Sequence, residues 1–290
     1  MKFLEMLGKK KVIIFDGAIG TEMARRGLDT GAGVNLTNPE AIESLHKDYA
    51  SLGIDCLITN SFIMNRISME SKKMDVDIRA VNLAAVKLAR SAANDNQYVF
   101  GDIGPSGKLL EPYGDYSEDQ FYENFKEQAL ILKEGKVDGI IIETMTDMRE
   151  AICALKAVKD NVDLPVIVSL SFTSAEKGGR TMMGNNLEEI AKALEKNGAD
   201  VVGANCGELV PLDMARLAAI YKEYTDLPVL IQPNAGLPRL VNGNTVYEMT
   251  PQDFADGVAE CINNGAMLVG GCCGTTVEHI RAVVEKVKEL

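Results

Sequence analysis

The chain has no tryptophan and only two histidines, and aromatic residues make up just 6% of it. The missing tryptophan says nothing about function, but the scarcity of histidine does. His46 and His279 both lie on helical patterns and read as surface or capping residues, so a metal site built on imidazoles has little to draw on. Positive charge is also short: 30 Lys and Arg stand against 42 Asp and Glu, for a net charge of −12. An acidic surface disfavours nucleic acid and anionic membranes, whose phosphates attract cations. No apolar run is long enough to span a bilayer. Met1-Lys2-Phe3-Leu4-Glu5 opens no long apolar segment and leads to no small-residue cleavage site, so no export signal is expected. Low-complexity tracts, linkers and close repeats are missing too, and 290 residues suit a single domain over 1–290. A cytoplasmic, reducing setting is therefore expected. There, cysteines serve as metal ligands, nucleophiles or core residues more often than as disulfides.

What is present is a series of eight short apolar runs: VIIFDG from Val12, CLITNS from Cys56, YVFGDIG from Tyr98, GIIIET from Gly139, PVIVSLS from Pro165, VVGANC from Val201, PVLIQPN from Pro228 and MLVGGCC from Met267. Most lack polar alternation, as strands buried on both faces do. Amphipathic segments lie between them and start at Asn38-Pro39, Ser117-Glu118 and Thr250-Pro251, which are helix-cap signatures. Gly53, Gly135, Gly198 and Gly265 mark helix ends. Eight βα units predict an α/β fold, a (β/α)₈ TIM barrel; a doubly wound open sheet is the alternative. The longest connection, Met64 to about Asp77, reads as a lid or as an irregular start to the second helix.

Polar residues stand at the end of each run: Asp16, Asn60, Asp102, Glu143, Ser171 with Thr173, Cys206, Asn234, and Cys272 with Cys273. Taken singly, each is most simply a turn or cap residue. In a barrel, all of them fall on the rim where active sites are built. Cys56, Cys153 and Cys261 sit inside periodic runs and read as core residues. Cys206, in Gly203-Ala204-Asn205-Cys206-Gly207, and the pair in Gly270-Gly271-Cys272-Cys273-Gly274-Thr275 are different. Strands six and eight are separated by one strand, so their ends can converge. Three thiolates there would form a base for Zn²⁺ with a fourth position open, and flanking glycines would let two consecutive side chains reach one ion. Such a site suits activation of a substrate thiol better than hydrolysis, which favours His and carboxylate ligands. The competing reading gives the glycines after strand eight to a phosphate, in a lyase or isomerase barrel with incidental cysteines.

In order along the chain, Asp16-Gly17-Ala18-Ile19-Gly20-Thr21-Glu22, Thr59-Asn60-Ser61-Phe62, Gly101-Asp102-Ile103-Gly104-Pro105, Glu143-Thr144, Gly203-Ala204-Asn205-Cys206, Pro233-Asn234-Ala235-Gly236 and Gly270 to Thr275 resemble the homocysteine S-methyltransferase family. Gly179-Arg180-Thr181, Pro233 to Pro238 and Gly270 to Ile280 carry a closer likeness to the homocysteine-binding barrel of cobalamin-dependent methionine synthase. The resemblance implies Zn²⁺ on Cys206, Cys272 and Cys273, with the substrate sulfur as the fourth ligand. It also implies that Asp16, Glu143 and the backbone around Gly17 and Ala18 hold the amino-acid end, and that Asn205 and Asn234 orient ligands or fill the vacant metal position. The expected reaction takes homocysteine to methionine. The methyl group would come from methylcobalamin on a corrinoid protein, or from a methylated small molecule. The alternatives are a corrinoid-linked methyltransferase with a different donor or thiol, and a non-catalytic thiol- or metal-binding barrel. Thr59-Asn60-Ser61-Phe62-Ile63-Met64-Asn65-Arg66 departs from the family's Thr-Asn-Thr-Phe-Gly, which leaves the loop after strand two unassigned.

Overall fold

A computed structural model describes residues 3–241 and 243–290. Eight parallel strands form one sheet: β1 (Ile13–Ile14), β2 (Cys56–Ile58), β3 (Tyr98–Ile103), β4 (Gly139–Met145), β5 (Val166–Leu170), β6 (Val201–Asn205), β7 (Val229–Gln232) and β8 (Ala266–Val269). Each strand pairs with its sequence neighbour, and β8 returns to β1. The seam between β1 and β2 is narrow. It consists of a bridge between Phe15 and Cys56, the Asp55 N–H to Ile14 O bond of 2.8 Å, and the Asp16 N–H to Cys56 O bond of 3.1 Å. The Asp16 carboxylate reinforces it by accepting the Ile58 N–H at 3.0 Å. The sheet is therefore a barrel, as the eight runs predict. No helix among the described residues is long and apolar enough to cross a membrane.

Alternation along the strands sorts side chains into two cores. Ile14, Leu57, Val99, Ile140, Val166, Val202 and Val229 pack outward against the helices. Ile13, Phe15, Phe100, Ile141, Ile167, Leu230 and Leu268 fill the barrel. The short helix Phe3–Leu7 plugs the N-terminal end, with the Phe3 ring edge-on to Phe100 at 4.7 Å between centroids. The bottom is thus closed by apolar contact, and access to the interior is left to the C-terminal rim.

The N-terminal face carries a repeat that the sequence motifs do not announce. Asp55, Asp138 and Asp200 each stand just before an even-numbered strand. Each accepts a backbone N–H from the odd strand before it: Ile14, Val99 and Val166, at 2.9, 2.8 and 2.8 Å. Each also meets a cation, respectively Lys10, Arg90 and Lys159. Two residues upstream of each, the chain turns through positive φ at Gly53, Lys136 and Gly198. In the fourth unit, Gly265 makes the same turn, but Met267 stands in the aspartate's place, and the β7–β8 register shifts there.

Two sequence expectations need correction. His46 is neither a surface nor a capping residue. It is fully buried on the helix Pro39–Ala50, and burial lowers its pKa to about 4. His279 does cap, closing a reciprocal box with Thr276. Gly135 ends its helix as expected, in a right-handed conformation, and the left-handed turn is made one residue later at Lys136, φ 66°. The Met64–Asp77 connection is a packed element rather than a lid. Asn65 caps a helix over Arg66–Ser71, and Met64 and Met69 are buried with Ile78 and Val81.

Candidate metal centre

The end of β7 gathers the cysteines. Gln232 O accepts the Cys206 N–H at 3.2 Å, and Pro233 O accepts the Cys272 N–H at 2.8 Å. The Ala235 N–H donates to Cys273 O at 3.0 Å, and the Asn234 amide donates to Gly207 O at 2.9 Å. The Pro233-Asn234-Ala235 segment is thus the spacer between two cysteine-bearing loops. Cys206 itself takes φ 57°, a left-handed conformation unusual for a side-chain-bearing residue, and this marks a constrained site.

The sulfurs of Cys206, Cys272 and Cys273 all lie within 4.8 Å of one another, and Cys206 to Cys273 is 3.8 Å. A tetrahedral ion with bonds of about 2.3 Å to sulfur would separate its ligands by about 3.8 Å, so the cluster has the size of a zinc thiolate base. Its electrostatics point the same way. Hydrogen bonds from the Cys206 and Cys272 thiols pull the Cys273 sulfur toward the thiolate, while Cys272 is pushed up by its bonds to Cys206 and Cys273. The other two sulfurs are held as thiols, because each neighbour's charge opposes a second ionisation. The Asn234 Oδ1 is buried and without a partner, a spare oxygen donor between the two cysteine loops.

The cysteines open onto a cavity of ≈ 450 Å³ bounded by the turn after β1 and the ends of β2, β3, β4 and β7. Gly17, Ala18, Asn60, Asp102, Glu143 and Gln232 are among its walls. Burial pushes the Glu143 carboxyl up to about 8, with the Cys206 sulfur adding to the shift. Asp102 is also raised, first by burial and then by Glu143 and Asp16. Asp16, raised by burial despite the Ile58 N–H, stands behind the wall. Asn205 does too: its Oδ1 accepts from Thr144 N and Ser169 Oγ, both at 2.8 Å, and its amide donates to Glu143 and Thr144. Thr173 is drawn instead into a hairpin between Phe172–Ser174 and Arg180–Thr181, and Ser171 just before it gives its N–H to Met145 O at 2.9 Å.

The glycines serve close packing. A Cβ on Gly17 or Gly271 would fall 2.8 or 2.6 Å from the Thr275 hydroxyl. That hydroxyl donates to Cys272 O at 2.7 Å and accepts the Ala18 N–H at 2.9 Å. Thr21 likewise accepts the Gly274 N–H. The loop after β8 is therefore tied to the turn after β1. Gln232 and Tyr247 are the contributors that sequence reasoning missed, while Thr21, Thr144 and Thr275 stood in its motifs with no role assigned. Tyr247, whose ring lies against Gly274 and whose hydroxyl meets the Cys273 sulfur, follows the hairpin after β7 and carries no motif of its own.

A (β/α)₈ barrel that gathers three thiols at its C-terminal rim, above an acid-lined cavity, has the ligand set for one metal ion. Residues 13–287 match the homocysteine S-methyltransferase family, and the chain belongs to it. It is 30% identical to the methionine synthase of Mycobacterium leprae and 29% identical to that of Mycobacterium tuberculosis, over 98% and 97% of its own length. It spans 25% of the length of each. The homocysteine methyltransferase MmuM of Escherichia coli in its metallated form has the same fold. The TM-score is 0.81 at 23% identity, over 97% of this chain and 98% of that one.

Proposed function

We propose that the chain, acting as one homocysteine-binding-type barrel over 1–290, methylates a thiol, with homocysteine as acceptor and methionine as product. The observation that carries this reading is the group of three sulfurs at the mouth of a cavity walled by buried carboxylates. Cys206, Cys272 and Cys273 would hold zinc, and Asn234 would offer its unpartnered Oδ1 when no substrate is present. When bound, zinc supplies a soft positive partner that favours a thiolate over a thiol at neutral pH. The cavity would position the substrate. Glu143 on the wall and Asp16 behind it, which burial holds toward the neutral acid, would ionise when an ammonium group stands beside them, and the backbone of the turn at Gly17 and Ala18 would face the carboxylate. The Ala18 N–H is already given to Thr275, so Ala18 contributes shape and its neighbours the donors. Asn205 holds Glu143 and Thr144 in place. In the transfer, the thiol gives up its proton and the sulfur lone pair forms the new S–CH₃ bond. The donor keeps the electron pair of the bond that breaks. Orientation and nucleophile activation are the barrel's contributions.

We favour methylcobalamin presented by a corrinoid protein over a methylated small molecule such as S-methylmethionine. The Gly179–Thr181 and Pro233–Pro238 motifs support that choice. A cytoplasmic setting keeps all six cysteines free, as they stand. The test is methionine formation from homocysteine by zinc-loaded protein, with each donor supplied in turn. Methylation of no thiol by either donor overturns the proposal.

A further inference from the structure

No Lys, Arg or His is among the described walls of the cavity, so charge on the cysteine sulfurs is steadied by neutral donors. Each of the three sulfurs has one. The Gly207 N–H serves Cys206, the Asn205 amide stands 3.9 Å from the Cys272 sulfur, and the Tyr247 hydroxyl serves Cys273. The first two come from the Asn205-Cys206-Gly207 segment itself. Tyr247 comes from elsewhere. After Ala235 the chain leaves the barrel and runs out through a hairpin of Arg239–Val241 and Asn244–Val246, whose first strand is exposed throughout. It returns at Met249, whose N–H donates to Ala235 O at 3.3 Å. The His279 ring fixes that return by donating to Met249 O at 2.9 Å. The seat of the Tyr247 ring is Gly274, next to Cys273: a Cβ there would fall 2.2 Å from the ring's Cγ. Ring and hydroxyl thus both address Cys273-Gly274, and the excursion from the barrel delivers them.

The geometry points to Tyr247 as a positioning residue of the metal centre: its ring steadies the loop after β8, and its hydroxyl, donated to the Cys273 sulfur, holds that sulfur on the ion and draws charge from it. This rests on the zinc reading above and deepens it. A hydrogen bond to a ligand sulfur weakens that sulfur's donation, so the ion keeps more positive charge for an incoming thiol. Tyr247 acts through Cys273 and is not itself a ligand.

The test is Tyr247→Phe, which keeps the ring over Gly274 and removes the hydroxyl. It is read in two ways: zinc affinity by chelator competition, and the sulfur-to-metal charge-transfer band of the cobalt(II)-substituted protein. Zinc affinity falls by roughly tenfold, as for other groups that orient metal ligands. The band moves to lower energy, because a sulfur without its hydrogen bond holds its electrons less tightly. An unmoved band in folded Tyr247→Phe overturns the inference whatever the affinity does, since a role in packing alone changes the first readout and not the second. A shifted band with wild-type affinity also overturns it, because the hydroxyl then does not hold the sulfur on the ion. Either failure leaves the zinc reading standing. If wild-type protein takes up cobalt with no charge-transfer band, its sulfurs are not ligands, and the zinc reading falls together with this one.

Discussion

The Asn205 carboxamide grips Thr144 from both sides: its Oδ1 accepts the Thr144 N–H at 2.8 Å and its Nδ2 donates to the Thr144 hydroxyl at 2.7 Å. Thr144 needs that grip. It sits at φ 58°, a left-handed conformation that a β-branched residue adopts only against about 1–3 kcal/mol of strain. The clamp orients the end of β4, where Glu143 meets the cavity. Asn205 also lies 3.9 Å from the Cys272 sulfur, so one side chain couples the carboxylate wall to the metal centre.

Asn205→Ala should therefore damage both fold and site. Leaving the Thr144 N–H and Ser169 hydroxyl without their acceptor should cost about 3 kcal/mol in urea unfolding. Zinc affinity in chelator competition should drop by roughly tenfold or more, the usual scale for support residues of metal ligands. A variant with wild-type stability and wild-type affinity would show that the clamp is incidental.

Cys206→Ala should abolish stoichiometric zinc binding while preserving the barrel, since Cys206 follows β6 and is no part of the core. Added zinc should favour the folded state of the wild-type protein, where the three sulfurs are gathered. At a free concentration about a hundredfold above its dissociation constant, it should stabilise that protein by about 2.7 kcal/mol. The variant should show no zinc-dependent rise in Tm. An equal rise in both proteins would move the metal away from this cluster.

The barrel and the cysteine cluster were legible because each leaves a mark in the chain: eight apolar runs, and an Asn-Cys and a Gly-Gly-Cys-Cys-Gly signature at the ends of strands one place apart. Gln232 was not. The strands are apolar on both faces for most of their length, so the runs hide which residues point inward. Only the place of Leu230 and Phe100 in the core that fills the barrel reveals that Gln232 and Asp102 form the next layer up. Counting two residues on from Leu230 would have found Gln232, as its place at the end of an apolar run had already found Asp102. The Asp55–Asp138–Asp200 repeat escaped for another reason. It is a single residue type at spacings set by helices of different length, and only the shared hydrogen-bond geometry makes it a repeat. His46 misled because its helix is amphipathic, and the buried face of that helix happens to include a polar side chain.

Glu150 should make stability depend on pH. It is buried on the helix Met148–Asn161, and its Oε1 accepts the Ser106 N–H at 2.7 Å. Burial outweighs that bond and raises its pKa from 4.5 to about 7. The folded state thus favours the protonated acid. The group's contribution is fully present below the unfolded pKa and is lost as pH rises through the folded one. Between these limits the loss is on the order of 3 kcal/mol. Glu150→Gln keeps an oxygen for Ser106 and cannot ionise, so its unfolding free energy should be flatter than wild type from pH 5 to about 8. Parallel pH profiles for the two proteins would rule Glu150 out as the source.

The aspartates of the N-terminal face should matter to stability and not to the site, which lies at the opposite end of the strands. Asp138 shows how to separate its two interactions. Its carboxylate accepts the Val99 N–H at 2.8 Å and pairs with Arg90 at 2.7 Å. Val99 is fully buried, so its N–H has no recourse to water once the acceptor is gone. Asp138→Ala should cost about 1–3 kcal/mol on that account. Asp138→Asn keeps an oxygen for Val99 and gives up only a partly exposed ion pair, which is worth about 0–1 kcal/mol. Urea unfolding should thus rank wild type, Asn and Ala in that order, with Asn close to wild type and zinc affinity equal in all three. If Asn costs as much as Ala, the Arg90 pair, which ties the helix Ile78–Ala92 to the start of β4, carries the stability and the backbone bond is secondary. If zinc affinity falls with stability, the two ends of the barrel are coupled more tightly than their separation implies.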